Sequence, residues 1–180
     1  MPVCFTLFDT AIGRCGLAWS ARGVMGVQLP EADAAKTRDR LLQRFPEALE
    51  AKPEAEVKRA EDGIVLLLRG EPSDLSAIPL DMNSVPPFHR RVYDAARKLR
   101  YGTTATYGSL AEQIGAQGAA RAVGQALARN PFALIVPCHR VVASNGKMGG
   151  FSADGGVGTK RRLLAIEGVE LQKTPNIPDL

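Results

Sequence analysis

Residues 106–130 read TYGSLAEQIGAQGAARAVGQALARN. Two runs of helical spacing lie in this stretch. Leu110, Ala111 and Ile114 share a face of the first, and Ala119, Val123 and Leu127 share a face of the second. Gly115 and Gly118 mark a turn between them, so the pattern is helix-turn-helix. The outer face of the second helix holds Arg121, Gly124, Gln125 and Ala128, nearly bare of bulky side chains. A backbone with such a face can come close to a neighbour. That neighbour is either another helix, with Arg121 on a solvated rim, or a DNA groove, with Arg121 entering the duplex. Helix pairs far outnumber groove-reading helices, so periodicity by itself favours packing.

Downstream, Asn130-Pro131 precedes an apolar run, Ala133 to Val136, and then Pro137-Cys138-His139-Arg140-Val141-Val142. The run reads as a strand. Pro137 has no N–H for a sheet ladder, so it should leave Cys138 at a strand terminus or turn. His139 and Arg140 are the kind of neighbours that lower a thiol pKa and raise its thiolate fraction. A buried, inert thiol is nonetheless the commoner fate of a lone cysteine beside apolar residues. Adjacent side chains on an extended segment also point apart, so Cys-His alone does not make a dyad. Asn145-Gly146 is a turn signal, and residues 149–156 (GGFSADGG) form a loop able to approach a ligand closely. Thr159 opens a helix with Leu163, Leu164 and Ile166 that closes at Glu167-Gly168. A carboxylate at a helix C-terminus is disfavoured by the dipole unless a partner compensates.

Upstream, residues alternate with period two in three runs: Val3, Phe5 and Leu7; Cys15, Leu17 and Trp19; Met25, Val27 and Leu29. With Gly13 and Gly23 between them these predict a strand meander. Two helices follow, one with Ala34, Leu41, Leu42 and Phe45 and one with Val57, Ala60, Ile64, Leu67 and Leu68, the second ended by Gly70. Residues 71–87 are rich in proline and lack periodicity, so we place a boundary near Asn83. A helix with Phe88, Val92, Ala96 and Leu99 on one face comes next, stopped by Gly102. The expected fold class is α+β: a small N-terminal strand meander with helices over 1–83, a mainly helical C-terminal domain over 84–170 with the helix-turn-helix and the cysteine, and a flexible tail over 171–180.

With 45% hydrophobic and 23% charged residues, 180 residues can bury a sizeable core, which excludes extensive disorder. The net charge of +4 is uneven. Residues 1–85 hold ten Lys/Arg against thirteen Asp/Glu, and residues 86–180 hold thirteen against six. A basic C-terminal half suits a polyanion such as nucleic acid. Three cysteines, Cys4, Cys15 and Cys138, are an odd, sparse set that argues against a disulfide-stapled secreted domain. The start MPVCFTLFDTAIG carries no leader pattern, and no run of about 18 apolar residues occurs. The expectation is a cytoplasmic protein without a membrane span. A monomer is expected, because no heptad or exposed apolar stripe is evident.

Taken in order, Tyr107, Ala120-Arg121-Ala122-Val123-Gly124, Asn130-Pro131, Pro137-Cys138-His139-Arg140-Val141, Lys160, Leu163-Leu164 and Glu167-Gly168 resemble the O6-alkylguanine-DNA alkyltransferases, or methylated-DNA-protein-cysteine methyltransferases. The resemblance covers about residues 86–170; the N-terminal half is similar only in outline. It implies repair of double-stranded DNA containing O6-alkylguanine, with the alkyl group, methyl first, passing to Cys138 once per molecule and no cofactor required. It implies that Cys138 is activated through His139, a bridging water and Glu167, with Asn130 bracing the cysteine's turn and Tyr107 hydrogen-bonding toward the leaving guanine. Arg121 would replace the flipped base in the stack, on a helix face completed by Gly124, Gln125 and Ala128. Val141 and Ser152 would read the base and Phe151 would line the alkyl pocket.

The chain departs from the family pattern in having Phe151 where many members have Tyr, in a longer loop from Ser152 to Thr159, and in Gly108 on the first turn of its helix. Some members bind zinc in the N-terminal domain; Cys4, Cys15 and His89 are one ligand short of a closed site, so no metal is expected. Three other readings compete. A damage-sensing relative would replace Cys138. A helix-turn-helix regulator leaves Cys138, His139 and Glu167 unexplained. A cysteine hydrolase would turn over and would not need DNA.

Overall fold

The computed structural model describes residues 1–149 and 156–171. Phe151, Ser152 and the tail from residue 172 lie outside them. The chain opens with β1 (Cys4–Thr10), β2 (Gly13–Ser20) and β3 (Gly23–Gln28), the expected antiparallel meander. A fourth strand, β4 (Leu49–Glu50), adds parallel to β1, giving the order β3-β2-β1-β4. Both faces of this sheet are covered. Helix α1 (Ala34–Arg44), capped by the Asp33 carboxylate on the Lys36 N–H, lies on one face, where Phe5, Ala18, Leu41 and Ala48 pack together. Gly16 lets Leu41 reach the sheet, since a Cβ there would crowd the Leu41 methyl. The other face, with Cys15, Leu17, Trp19 and Val27, joins α2 (Ala55–Leu68) in the main core.

Helix α3 (Pro87–Ala96) starts with proline at its first turn, where a missing N–H costs nothing. It ends at Ala96, so the expected continuation to Leu99 is wrong; Arg97 to Leu99 turn instead, and the Arg97 guanidinium donates to the carbonyls of Leu75 and Ile78. After β5 (Ala105–Thr106) comes α4 (Tyr107–Gln113), opened by a reciprocal Thr106–Ser109 capping box. That cap offsets the low helix propensity of Gly108. Gly115 and Gly118 both have positive φ, 69° and 81°, and make the turn into α5 (Ala120–Ala128). Tyr93 of α3 donates from its hydroxyl to the Ala126 carbonyl at 2.8 Å, fixing α5 to the core.

The apolar run 133–136 is not the expected strand. Leu134 has φ 71°, and the Val136 N–H donates back to the Phe132 carbonyl at 2.8 Å, so the segment closes into a tight loop. A 3-10 turn over Cys138–Arg140 follows, then β6 (Val141–Val142), parallel to β5, and α6 (Val157–Ile166), which begins two residues before Thr159. Among the described residues no helix is long and apolar enough to cross a membrane.

Candidate active site

The Asn130 side chain builds the loop that presents the cysteine. Its Oδ1 accepts the Phe132 N–H at 2.9 Å and its Nδ2 donates to the Val136 carbonyl at 2.9 Å. The same Val136 carbonyl accepts the Cys138 N–H at 2.8 Å. Pro137, with no N–H of its own, is tolerated because neither bond needs one. Cys138 is partly buried and its thiol is free. Burial pushes the thiol pKa up, while Asn130 and the Lys160 ammonium pull it back. The net lowering expected from the side chains of His139 and Arg140 is therefore not what the fold provides, although the His139 backbone adds to the pull downward.

Arg140 is directed at Glu167, as His139 is, and not at the thiol. It grips Glu167, with Nε 2.9 Å from Oε2 and Nη2 2.9 Å from Oε1, and its Nη1 donates to the Leu99 carbonyl. His139 is sealed from solvent with Nε2 2.6 Å from Glu167 Oε1, and the Gly102 N–H donates to Oε2. Four donors thus compensate a carboxylate that sits at the C-cap of α6. Burial would raise its pKa, but the bonds from His139 and Arg140 outweigh that and hold it at about 2. Burial pushes the His139 pKa down, so the ring is neutral at pH 7. Its other nitrogen, Nδ1, is buried without a partner among the described residues.

Lys160 has a role the sequence did not disclose. It is wholly buried, and its ammonium donates to the Tyr107 hydroxyl at 3.2 Å and to the Val141 carbonyl. Burial lowers its pKa to about 8. Its position three residues before Leu163, on the buried side of α6, was the available signal: a cation on an apolar face needs an oxygen partner. With its oxygen accepting from Lys160, Tyr107 keeps its own proton to donate elsewhere. Burial, then the neighbouring Cys138, raise the phenol's pKa, so it holds that proton. Val141 is fully buried.

On α5 the outer face is as expected. Arg121, Gln125 and Ala128 are exposed and Gly124 is partly so, while Val123, Ala126 and Leu127 are buried. A Cβ at Gly124 would rest in ordinary van der Waals contact with the edge of the Tyr107 ring, at 3.8 Å. Phe151 and Ser152 lie outside the described residues. Among the described residues no cluster of three or more His, Cys, Asp or Glu side chains could hold a metal ion. His89 packs instead between the rings of Phe88 and Tyr93.

A buried Glu–His pair, a cysteine presented by an Asn-braced turn and a bare helix face with one arginine meet in the C-terminal half of the chain. The 6-O-methylguanine DNA methyltransferase DNA-binding domain family matches residues 87–169. A methylated-DNA-protein-cysteine methyltransferase of Methanothermobacter thermautotrophicus is 35% identical over 157 residues, 87% of this chain and 81% of that one. One from Mycolicibacterium paratuberculosis is 51% identical over 90 residues, covering 50% and 53% of the two chains. The crystal structure of Mycobacterium tuberculosis OGT in complex with DNA is similar over 91% of each chain, with a TM-score of 0.73 at 33% identity. The chain belongs to the methylated-DNA-protein-cysteine methyltransferase family.

Proposed function

We propose that the protein repairs double-stranded DNA by moving an alkyl group, methyl first, from O6 of guanine to its own Cys138, once per molecule. The observation that carries this reading is the buried His139 Nδ1, unpartnered among the described residues, one residue from a cysteine held on a braced turn. A neutral imidazole oriented by a carboxylate is a base able to take the thiol proton, through one water, as the substrate arrives. The thiolate sulfur then bonds to the alkyl carbon as the carbon–O6 bond breaks. Tyr107 donates to the guanine as charge develops there, and Lys160 holds the phenol in place. The thioether product is stable, so the protein is consumed. No cofactor enters this scheme.

Arg121 fills the stack vacated by the flipped guanine, while Gly124, Gln125 and Ala128 let α5 approach the groove. The Val141 carbonyl has a second lone pair for the base beside its bond from Lys160, with Ser152 and Phe151 completing the pocket. We take 1–83 and 84–170 as the two units, acting as a monomer. Three free thiols fit a reducing compartment, the cytoplasm. Cys138→Ala tests the reading: transfer should be abolished with DNA affinity retained, and continued removal of the alkyl group by this variant would end it.

A further inference from the structure

The loop that presents Cys138 is held from outside as well as by Asn130. Its Pro131 carbonyl accepts two donors from the N-terminal half. One is the Val27 N–H of β3, at 2.9 Å. The other is the Arg44 guanidinium at the end of α1, whose Nη2 stands 3.0 Å away. Arg44 also donates through Nη1 to the Val27 carbonyl at 3.0 Å and to Gln28 Oε1 at 3.2 Å, and it stacks on the Phe45 ring. These acceptors are neutral oxygens, so the half-buried cation is spent on orienting backbone and amide groups rather than on a surface ion pair. Room is made for it by Gly26, where a Cβ would collide with Nη2 and with the Phe45 ring.

From Pro131 the path to the nucleophile is short. Asn130 is the preceding residue, its side chain spans Phe132 and Val136, and the Val136 carbonyl receives the Cys138 N–H. We propose that Arg44 is a positioning residue for alkyl transfer, fixing through Pro131 the Asn130 brace that sets the place of Cys138. The proposal rests on Cys138 being the acceptor. In this role Arg44 acts only through the protein, by way of Pro131 and Asn130. Its planar fork spans Val27, Gln28 and Pro131 together, which a lysine's single ammonium cannot.

The experiment compares wild type, Arg44→Met, Arg44→Lys and the exposed control Arg40→Met with duplex DNA carrying one O6-methylguanine. It reads the limiting transfer rate at saturating DNA, the half-saturating DNA concentration, and the pH at which Cys138 becomes reactive to iodoacetamide. Misplacement of a reacting group costs about 10- to 100-fold, so Arg44→Met is expected to lose that much limiting rate, with half-saturation unchanged and the thiol's pH profile moved up as the Asn130 contact loosens. Arg44→Lys should fall between, and Arg40→Met should match wild type. A folded Arg44→Met with wild-type limiting rate and pH profile overturns the proposal; if that variant does not fold, an Arg44→Lys as fast as wild type overturns it instead. Mass mapping of the wild-type reaction separates the two ideas: an adduct absent from Cys138 defeats the site reading itself, whereas an adduct there with unaffected Arg44 variants defeats only this inference.

Discussion

His139 Nε2 stands 2.6 Å from Glu167 Oε1, with both side chains sealed from solvent, and the same carboxylate is forked by Arg140. The pair joins the turn after Cys138 to the end of α6, so one interaction serves both the stability of the fold and the protonation state of the imidazole. Glu167→Gln keeps the shape but turns an amide N–H toward Arg140. Leaving a buried cation without its partner should cost about 3 kcal/mol in denaturant unfolding. Loss of the oriented imidazole should slow transfer on the order of 100-fold, measured as the single-turnover rate at saturating DNA. An unchanged rate would remove Glu167 from the relay.

The same groups set an acid limit. The folded-state pKa of Glu167, about 2, lies below its ordinary value, so its stabilisation is present above pH 4.5 and is lost as pH falls toward 2. His139 is depressed as well and must stay neutral in the fold, so its contribution begins to fall below its ordinary value of 6.5. Both signs agree: the unfolded chain binds more protons as acid is added. Urea unfolding at pH 7.5, 5.5 and 4 should show stability falling in that order. A flat profile would mean that the pair is not the titrating element.

Gly124 separates the packing reading of α5 from the groove reading. A Cβ there fits in ordinary contact with the Tyr107 ring edge, so Gly124→Ala should stabilise the helix by about 0.5–1 kcal/mol. If that face meets DNA, the added methyl should weaken duplex binding even as the melting temperature rises. Arg121→Ala should slow transfer from duplex far more than from the free alkylated base. Full duplex activity in both variants would return α5 to ordinary packing.

Gly149 packs its Cα against the Tyr107 hydroxyl at φ 67°, and a Cβ there would overlap the phenol. Gly149→Ala should therefore push Tyr107 off Lys160 and reproduce the effect of Tyr107→Phe. Both are expected to lose about 100-fold in limiting transfer rate with little change in DNA affinity, read by fluorescence anisotropy. A Gly149→Ala protein with wild-type kinetics would show that the phenol's position does not matter.

The helix-turn-helix was legible because two 3.6-period faces flank glycines that do adopt positive φ. Glu167 was legible from its misfit, a carboxylate at a helix C-terminus, and the family resemblance paired it with His139; the Arg140 and Gly102 donors were not foreseen. Arg140 was misjudged because sequence adjacency pointed it at the thiol, whereas its partner lies 27 residues away. The run Ala133 to Val136 was misread for a related reason. Four apolar residues carry no period of their own, and the Asn130 side chain bends them into a loop that puts Leu134 at positive φ. β4 escaped notice because it has two residues and exposes Leu49. Lys160 was legible as part of the family pattern but not in its role, and Arg44 not at all, since their value lies in carbonyls reached across the fold.

The central claim is a stoichiometric transfer to one named atom, Cys138 Sγ. The most direct test is intact-mass measurement after incubation with excess duplex DNA carrying O6-methylguanine, followed by peptide mapping. The expected result is one added methyl group per protein, on Cys138, with no further gain as DNA is increased. An unmodified protein that still binds this DNA, or a methyl group on Cys4 or Cys15, would contradict it.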